Sequence, residues 1–142
     1  MISFDTNIVV HSANVDSPDY RAARSFLEEL TTRQDVAICE LMLVEVFLKL
    51  CNQKIFRQPM SAAEASDYCS QLRANRNWKL LESAPIMEEV WQATRKRDFA
   101  FRRIIDLRLG LTLRRHGVTH FATANLKDFR GLGFEKVWNP LK

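Results

Sequence analysis

The chain has 142 residues, 46% hydrophobic and 27% charged, the balance of an ordinary soluble globular protein. No apolar run approaches the roughly eighteen residues a membrane span needs, and the N-terminus lacks a basic region followed by an apolar core. One domain over residues 1–142 is therefore expected, cytoplasmic and with no membrane partner. Lys and Arg number 21 against 17 Asp and Glu, a net charge of +4, which favours an acidic partner only mildly. The excess is concentrated: Arg95, Lys96, Arg97, Arg102, Arg103, Arg108, Arg114 and Arg115 meet only Asp98 and Asp106 in their own stretch. Such a segment suits phosphates, and equally suits the solvated faces of two helices. Three cysteines without close spacing suggest neither a disulfide framework nor a zinc site.

In chain order, Met1–Phe4 is a short apolar run that predicts a first, buried strand, with Asp5-Thr6-Asn7 where it ends. Asn14 to Pro18 is turn-like, with Asp16 or Ser17 able to cap a helix and Pro18 in its first turn. Tyr20, Ala23, Leu27 and Leu30 then repeat at helical spacing. Val36-Ala37-Ile38 fits a second strand. A helix from about Leu41 to Asn52 comes next, with Val44, Phe47, Leu48 and Cys51 as its expected inner face. After Pro59, Ser61 to Glu64 has the form of a capping box and starts a helix reaching about Asn75. Trp78–Leu81 reads as a third strand, and Pro85 opens a helix with Met87, Val90, Trp91 and Thr94 along one side. The last long helix covers about Ile104 to His116, stopped by Gly117 as a left-handed cap. His120–Ala122 is a fourth strand and Glu135–Val137 a short last one. Short apolar strands separated by helices predict a three-layer α/β/α fold around a mostly parallel sheet.

Three acids stand out against this pattern. Asp5 comes after a buried strand and must be solvated, act as the cap of the turn beginning at Thr6, or bind something. Glu45 lies inside the apolar sequence Leu41-Met-Leu-Val-Glu-Val-Phe-Leu48, where burial without a partner is costly. Asp106 lies in Ile104-Ile-Asp-Leu107, where it can complement a helix N-terminus. Carboxylates at strand ends and on the succeeding helices can converge in the crevice of an open α/β sheet. Gathered there, they repel one another unless a hard divalent cation joins them.

Taken in order, these residues resemble a PIN domain: Asp5-Thr6-Asn7 after the first strand, Glu45 in the helix after the second, Asp106 opening the penultimate helix. The C-terminal stretch Gly117-Val-Thr-His-Phe-Ala-Thr123-Ala-Asn125-Leu-Lys-Asp128-Phe129, continuing to Val137-Trp138-Asn139-Pro140, fits as well. The likeness covers nearly the whole chain and is nearest to the bacterial VapC-type toxins. It implies a Mg²⁺- or Mn²⁺-dependent endoribonuclease that leaves 5′-phosphate and 3′-hydroxyl ends. Asp5, Glu45 and Asp106 take the three main acidic positions. Asp5 and Asp106 would hold the cation, and Glu45 would hold the attacking water and help accept its proton.

The fourth acidic position is Asn125, which can offer a carbonyl oxygen but no charge. Asp128 could supply the missing carboxylate through a water. Thr6, Asn7 and Thr123 match positions that hydrogen-bond the acids, and Arg102, Arg103 and Arg108 would seat the RNA backbone. The resemblance also implies a cognate antitoxin covering the pocket with a basic side chain, and a homodimer built on apolar positions of the Leu41–Asn52 and Ser61–Asn75 helices. Two other readings remain: a housekeeping RNA-processing nuclease of the same fold, and a PIN-shaped binding module weakened by Asn125. A haloacid-dehalogenase-like phosphatase would need a second aspartate where Asn7 stands. A receiver domain would need one after the third strand, where Glu82-Ser83 stands instead.

Overall fold

The computed structural model describes all residues 1–142. Five short strands alternate with helices: β1 (Ile2–Phe4), α1 (Thr6–Ala13), α2 (Tyr20–Leu30), β2 (Ala37–Cys39), α3 (Glu40–Leu50), α4 (Ala62–Arg73) and β3 (Lys79–Leu81). The second half contains α5 (Met87–Thr94), a 3₁₀ turn (Phe101–Arg103), α6 (Ile104–Arg115), β4 (His120–Ala122), α7 (Leu126–Phe129) and β5 (Lys136–Trp138). No helix is long and apolar enough to cross a membrane.

Every strand pairing is parallel. Phe4 stands opposite Ala122 and Ala122 opposite Trp138, while Cys39 stands opposite Leu81. An isolated parallel bridge joins Ile2 to Val36, with the Ile2 amide donating to the Asp35 carbonyl at 2.8 Å. The resulting order is β3-β2-β1-β4-β5. From β1 the chain steps outward through β2 to β3, then jumps back over β1 to β4 and on to β5. With the right-handed crossovers general to parallel strands, this order puts α1–α4 on one face of the sheet and α5–α7 on the other. The helix contacts divide the same way, α1 with α2 and α3, α3 with α4, and α6 with α5 and α7. This is the expected three-layer α/β/α arrangement, and its topological switch point lies between β1 and β4.

The main core runs from Phe4, Ile8 and Val9 through Ile38, Met42 and Leu50 to Leu109, Leu113, Phe121 and Phe129. A small second cluster of Ile86, Val90 and Leu107 seats α5 on α6.

Several expectations need correcting. The pattern does not mark α1, whose Ile8-Val9-Val10 run is β-branched and a poor intrinsic helix former. It is helical because Asp5 caps its first amide and because Ile8, Val9 and Val10 are buried. Helix α2 begins at Tyr20 with no side-chain cap; Ser17 Oγ instead accepts from the Asp19 amide, making a turn just before it. The phase of α3 is also rotated. Phe47 and Cys51 do pack on the core, but Val44 and Leu48 are exposed, and Met42, Leu43, Val46 and Leu50 are the buried set. A helix apolar nearly all round carries little phase information. Trp91 on α5 is likewise half exposed. The last strand falls one residue later than expected. The capping box at Ser61 and Glu64 is present with both reciprocal bonds, and Gly117 takes φ 89° just past α6.

Candidate active site

Where β1 ends, Asp5 leaves the sheet with its amide still bonded to the Ala122 carbonyl of β4, at 2.9 Å. Its carboxylate is buried and held from two sides. Oδ1 accepts from the Thr6 amide at 2.7 Å, the N-cap of α1, and Oδ2 accepts from the Thr123 hydroxyl at 2.8 Å. That hydroxyl also accepts from the Asn125 amide at 2.9 Å. One threonine thus fixes both the acid at the end of β1 and the turn after β4. The Asn7 side-chain oxygen reaches the Ala124 amide at 3.5 Å, tying α1 to the same turn rather than to a carboxylate. Thr6 contributes its backbone amide, while its buried hydroxyl has no partner.

Burial pushes the Asp5 carboxyl above its ordinary range, against the pull of Thr123, Thr6 and the Lys49 ammonium. Glu45, on α3, is pushed up to about 7, first by burial and then by the charges of Asp5 and Asp106, with Lys49 opposing. Asp106, in the first turn of α6, is pushed up to about 6 by burial, by Asp5 and Asp128, and by a hydrogen bond that its neutral form makes with Asp128. Acids separated by up to 123 positions in the chain therefore share one electrostatic field. The switch point of the sheet brings them together: Asp5 comes from β1, Asp128 from α7 beyond β4, and α3 and α6 deliver the others.

The Asn125 amide nitrogen donates to Asp128 Oδ2 at 2.6 Å, leaving the Asn125 carbonyl oxygen available. Asp128 also carries Arg103, whose Nε lies 3.6 Å from Oδ1 and whose Nη2 donates to the Asp128 backbone carbonyl at 3.2 Å. The basic stretch is thereby divided. Arg114 bonds the Val118 carbonyl at 2.6 Å and lies over Phe134, and Arg115 pairs with Glu89. These two serve the fold. Arg102 and Arg108 are exposed, and Arg103 is anchored at the pocket's edge.

Lys49 is a site residue that the sequence pattern does not single out. It lies one helical turn after Glu45, so the two side chains share a face of α3. Its charge acts on Asp5, Glu45 and Asp106 together. The Glu45–Lys49 spacing is visible in the sequence, but not the other two acids it serves.

No three Asp, Glu, His or Cys side chains stand close enough together to hold a metal ion by themselves. The donor set is nonetheless oxygen-only, acidic and mutually repelling, and the orphaned Thr6 hydroxyl lies beside Asp5. Mg²⁺ keeps several waters and is usually held by one or two carboxylates, so an open set of this kind fits it better than a full cage would. The cleft lined by Arg24, Tyr68 and Trp78, about 250 Å³, contains one acid, Glu28, and no coupled pair. The coupled acids lie with Asp5.

No protein-family model matches the chain. It is 46% identical over 141 residues to Ribonuclease VapC24 of Mycobacterium tuberculosis, in strains CDC 1551 and H37Rv alike, covering 99% of this chain and 97% of that protein. Among solved structures it resembles M. tuberculosis VapC20, described as a Sarcin-Ricin loop cleaving toxin, with TM-score 0.66 and 17% identity over 94% of this chain and 96% of that one. It also resembles a chain of FitAB bound to a DNA fragment, with TM-score 0.68 and 17% identity over 100% and 96% of the two chains. FitAcB from Neisseria gonorrhoeae gives 0.65 and 16% over 99% and 98%. At such identities the solved structures speak for the fold. The near full-length identity to VapC24 speaks for descent, and the chain belongs to the VapC family of PIN-domain ribonucleases.

Proposed function

We propose that this protein is a Mg²⁺- or Mn²⁺-dependent endoribonuclease, the toxin of a toxin–antitoxin pair, hydrolysing RNA to 5′-phosphate and 3′-hydroxyl ends. The observation that carries this reading is the shared field of Asp5, Glu45, Asp106 and Asp128 at the sheet's switch point, in a chain nearly half identical to a VapC ribonuclease. Asp5 and Asp106 would hold the cation, with Asn125 and Asp128 completing the set. When bound, the cation supplies positive charge against the phosphate and a more acidic water.

The protein's own groups do the rest. Thr6 and Thr123 occupy both Asp5 oxygens and so fix its orientation. Glu45, with a carboxyl near 7, is poised to take a proton from the attacking water at neutral pH. Attack at phosphorus breaks the bond to the 3′ oxygen, so no ribose 2′-hydroxyl takes part. Lys49 and Arg103 offset the acids, which would otherwise repel the RNA backbone.

Purified protein incubated with total RNA and Mn²⁺, beside an Asp5→Ala version, tests this. Cleavage by the parent alone, stopped by chelator and leaving ends that accept ligation at the 3′-hydroxyl, is the expected result. Equal cleavage by both proteins would discard the site. A second reading draws on Asn125, which pairs with Asp128 in place of a fourth carboxylate: a binding module with little catalysis. Calorimetric titration with millimolar Mg²⁺ or Mn²⁺ separates the two, since the module alone predicts no binding.

The partner is an antitoxin that covers the acidic pocket, presenting a cation to the carboxylates as Lys49 does internally. The exposed Val44 and Leu48 of α3, with the neighbouring face of α4, are the surface proposed for a homodimer. Sedimentation of Leu48→Asp against the parent would show whether that face joins two copies.

A further inference from the structure

Phe101 is 76% exposed, the most exposed large hydrophobic side chain of the molecule. It begins the 3₁₀ turn that runs into α6, two residues before Arg103 and five before Asp106. The Arg102 guanidinium lies over its ring, 5.6 Å from the centroid. Arg103 is bonded to Asp128, and Asp106 lies in the next helical turn. Ile105, half exposed, and Arg108 continue the same side at helical spacing. Ile105 and Arg108 then form one wall of a groove of about 340 Å³ whose other wall is Leu41, Val44, Glu45 and Leu48 of α3. An aromatic ring with a guanidinium over it thus stands two residues before the arginine that holds Asp128.

We propose that Phe101, backed by Arg102, is a stacking platform for a base of the bound RNA, a positioning residue outside the acidic cluster. This rests on the nuclease reading above and adds a residue that contacts a base. Single-strand recognition combines cations that track the backbone with aromatic faces that take bases. A paired base offers no free face, and a bare phosphate would need only the arginines. A protein partner would also cover an exposed Phe, but the arginine lying over the ring and the link through Arg103 to Asp128 favour a polyanion carrying flat bases.

The test uses the whole chain with chelator present, so that nothing is cut, and reads anisotropy of a labelled single-stranded 12-nucleotide RNA of degenerate sequence. Phe101→Ala should weaken binding by about five- to a hundredfold, the usual effect of removing one stacking partner. Phe101→Trp should restore it, and Phe101→Leu, equally apolar but unable to stack, should not. An abasic oligonucleotide of the same length should bind parent and Phe101→Ala alike, as should a duplex. Unchanged melting temperature of these surface variants guards against misfolding.

Equal affinity of parent and Phe101→Ala for the single strand would overturn the platform alone. So would an equal loss on the duplex or the abasic strand, or a change confined to self-association or protein binding. A parent that neither binds nor cuts any RNA would instead take the nuclease reading down with it.

Discussion

Thr123 serves two purposes with one hydroxyl, donating to Asp5 and accepting from the Asn125 amide, while fully buried. Thr123→Val keeps the shape and removes both bonds, leaving a buried carboxylate oxygen and an amide unsatisfied. The expected cost is about 1–3 kcal/mol in urea denaturation, with cleavage falling alongside, whereas Thr123→Ser should recover most of both. Lys49 yields a different signature. It opposes the acids only when they are ionised, so Lys49→Met should lower the melting temperature of metal-free protein near pH 7.5 and leave it nearly unchanged near pH 5. An equal effect at both pH values would show that Lys49 acts through packing of its stem. Asp5, Glu45 and Asp106 are legible in the sequence because each interrupts an apolar pattern. Lys49 is not, because a lysine on a helix is ordinary until its neighbours from β1 and α6 are in place.

Most helices announce themselves through periodicity or caps. The Ser61–Glu64 box is the plainest case, and its location on α4 offers a control: Ser61→Ala should cost about 1 kcal/mol without altering the rate of RNA cleavage by the remaining folded protein. Helix α1 is illegible for the opposite reason. Its β-branched residues oppose helix formation locally, and only the Asp5 cap and burial by α2 and α3 decide the matter. For α3 the type is clear and the rotation is not, since Leu41 to Leu50 is apolar at nearly every position but Glu45 and Lys49. Those two charged positions, one turn apart, mark the side facing the site. Two truncations check the phase. Leu50→Ala, at a fully buried position, should cost about 2–5 kcal/mol, and Leu48→Ala, at an exposed one, should stay within about 0.5 kcal/mol. Comparable losses would mean that α3 is rotated or that Leu48 is covered in a dimer, and dilution distinguishes these.

At the scale of the molecule, a parallel sheet with one reversal of strand order gathers acids that its burial then penalises. The unfolded chain releases their protons at ordinary carboxylate values, but the folded chain holds those of Asp106 and Glu45 to about 6 and 7. Across that window, from roughly pH 4 to 7, the native state binds more protons than the unfolded one, so these two groups make stability fall as pH rises. A divalent cation binds the ionised form and should remove the fall. The expected outcome is a metal-free melting temperature higher near pH 5 than near pH 7.5, with millimolar Mg²⁺ raising the latter far more than the former. Glu45→Gln should flatten the metal-free profile, because the uncharged amide has no proton to lose. If parent and Glu45→Gln instead decline in parallel, and Mg²⁺ raises both pH values equally, the acids at the end of β1 do not form one coupled pocket. The reading of the site as a cation-dependent centre would then have no physical basis.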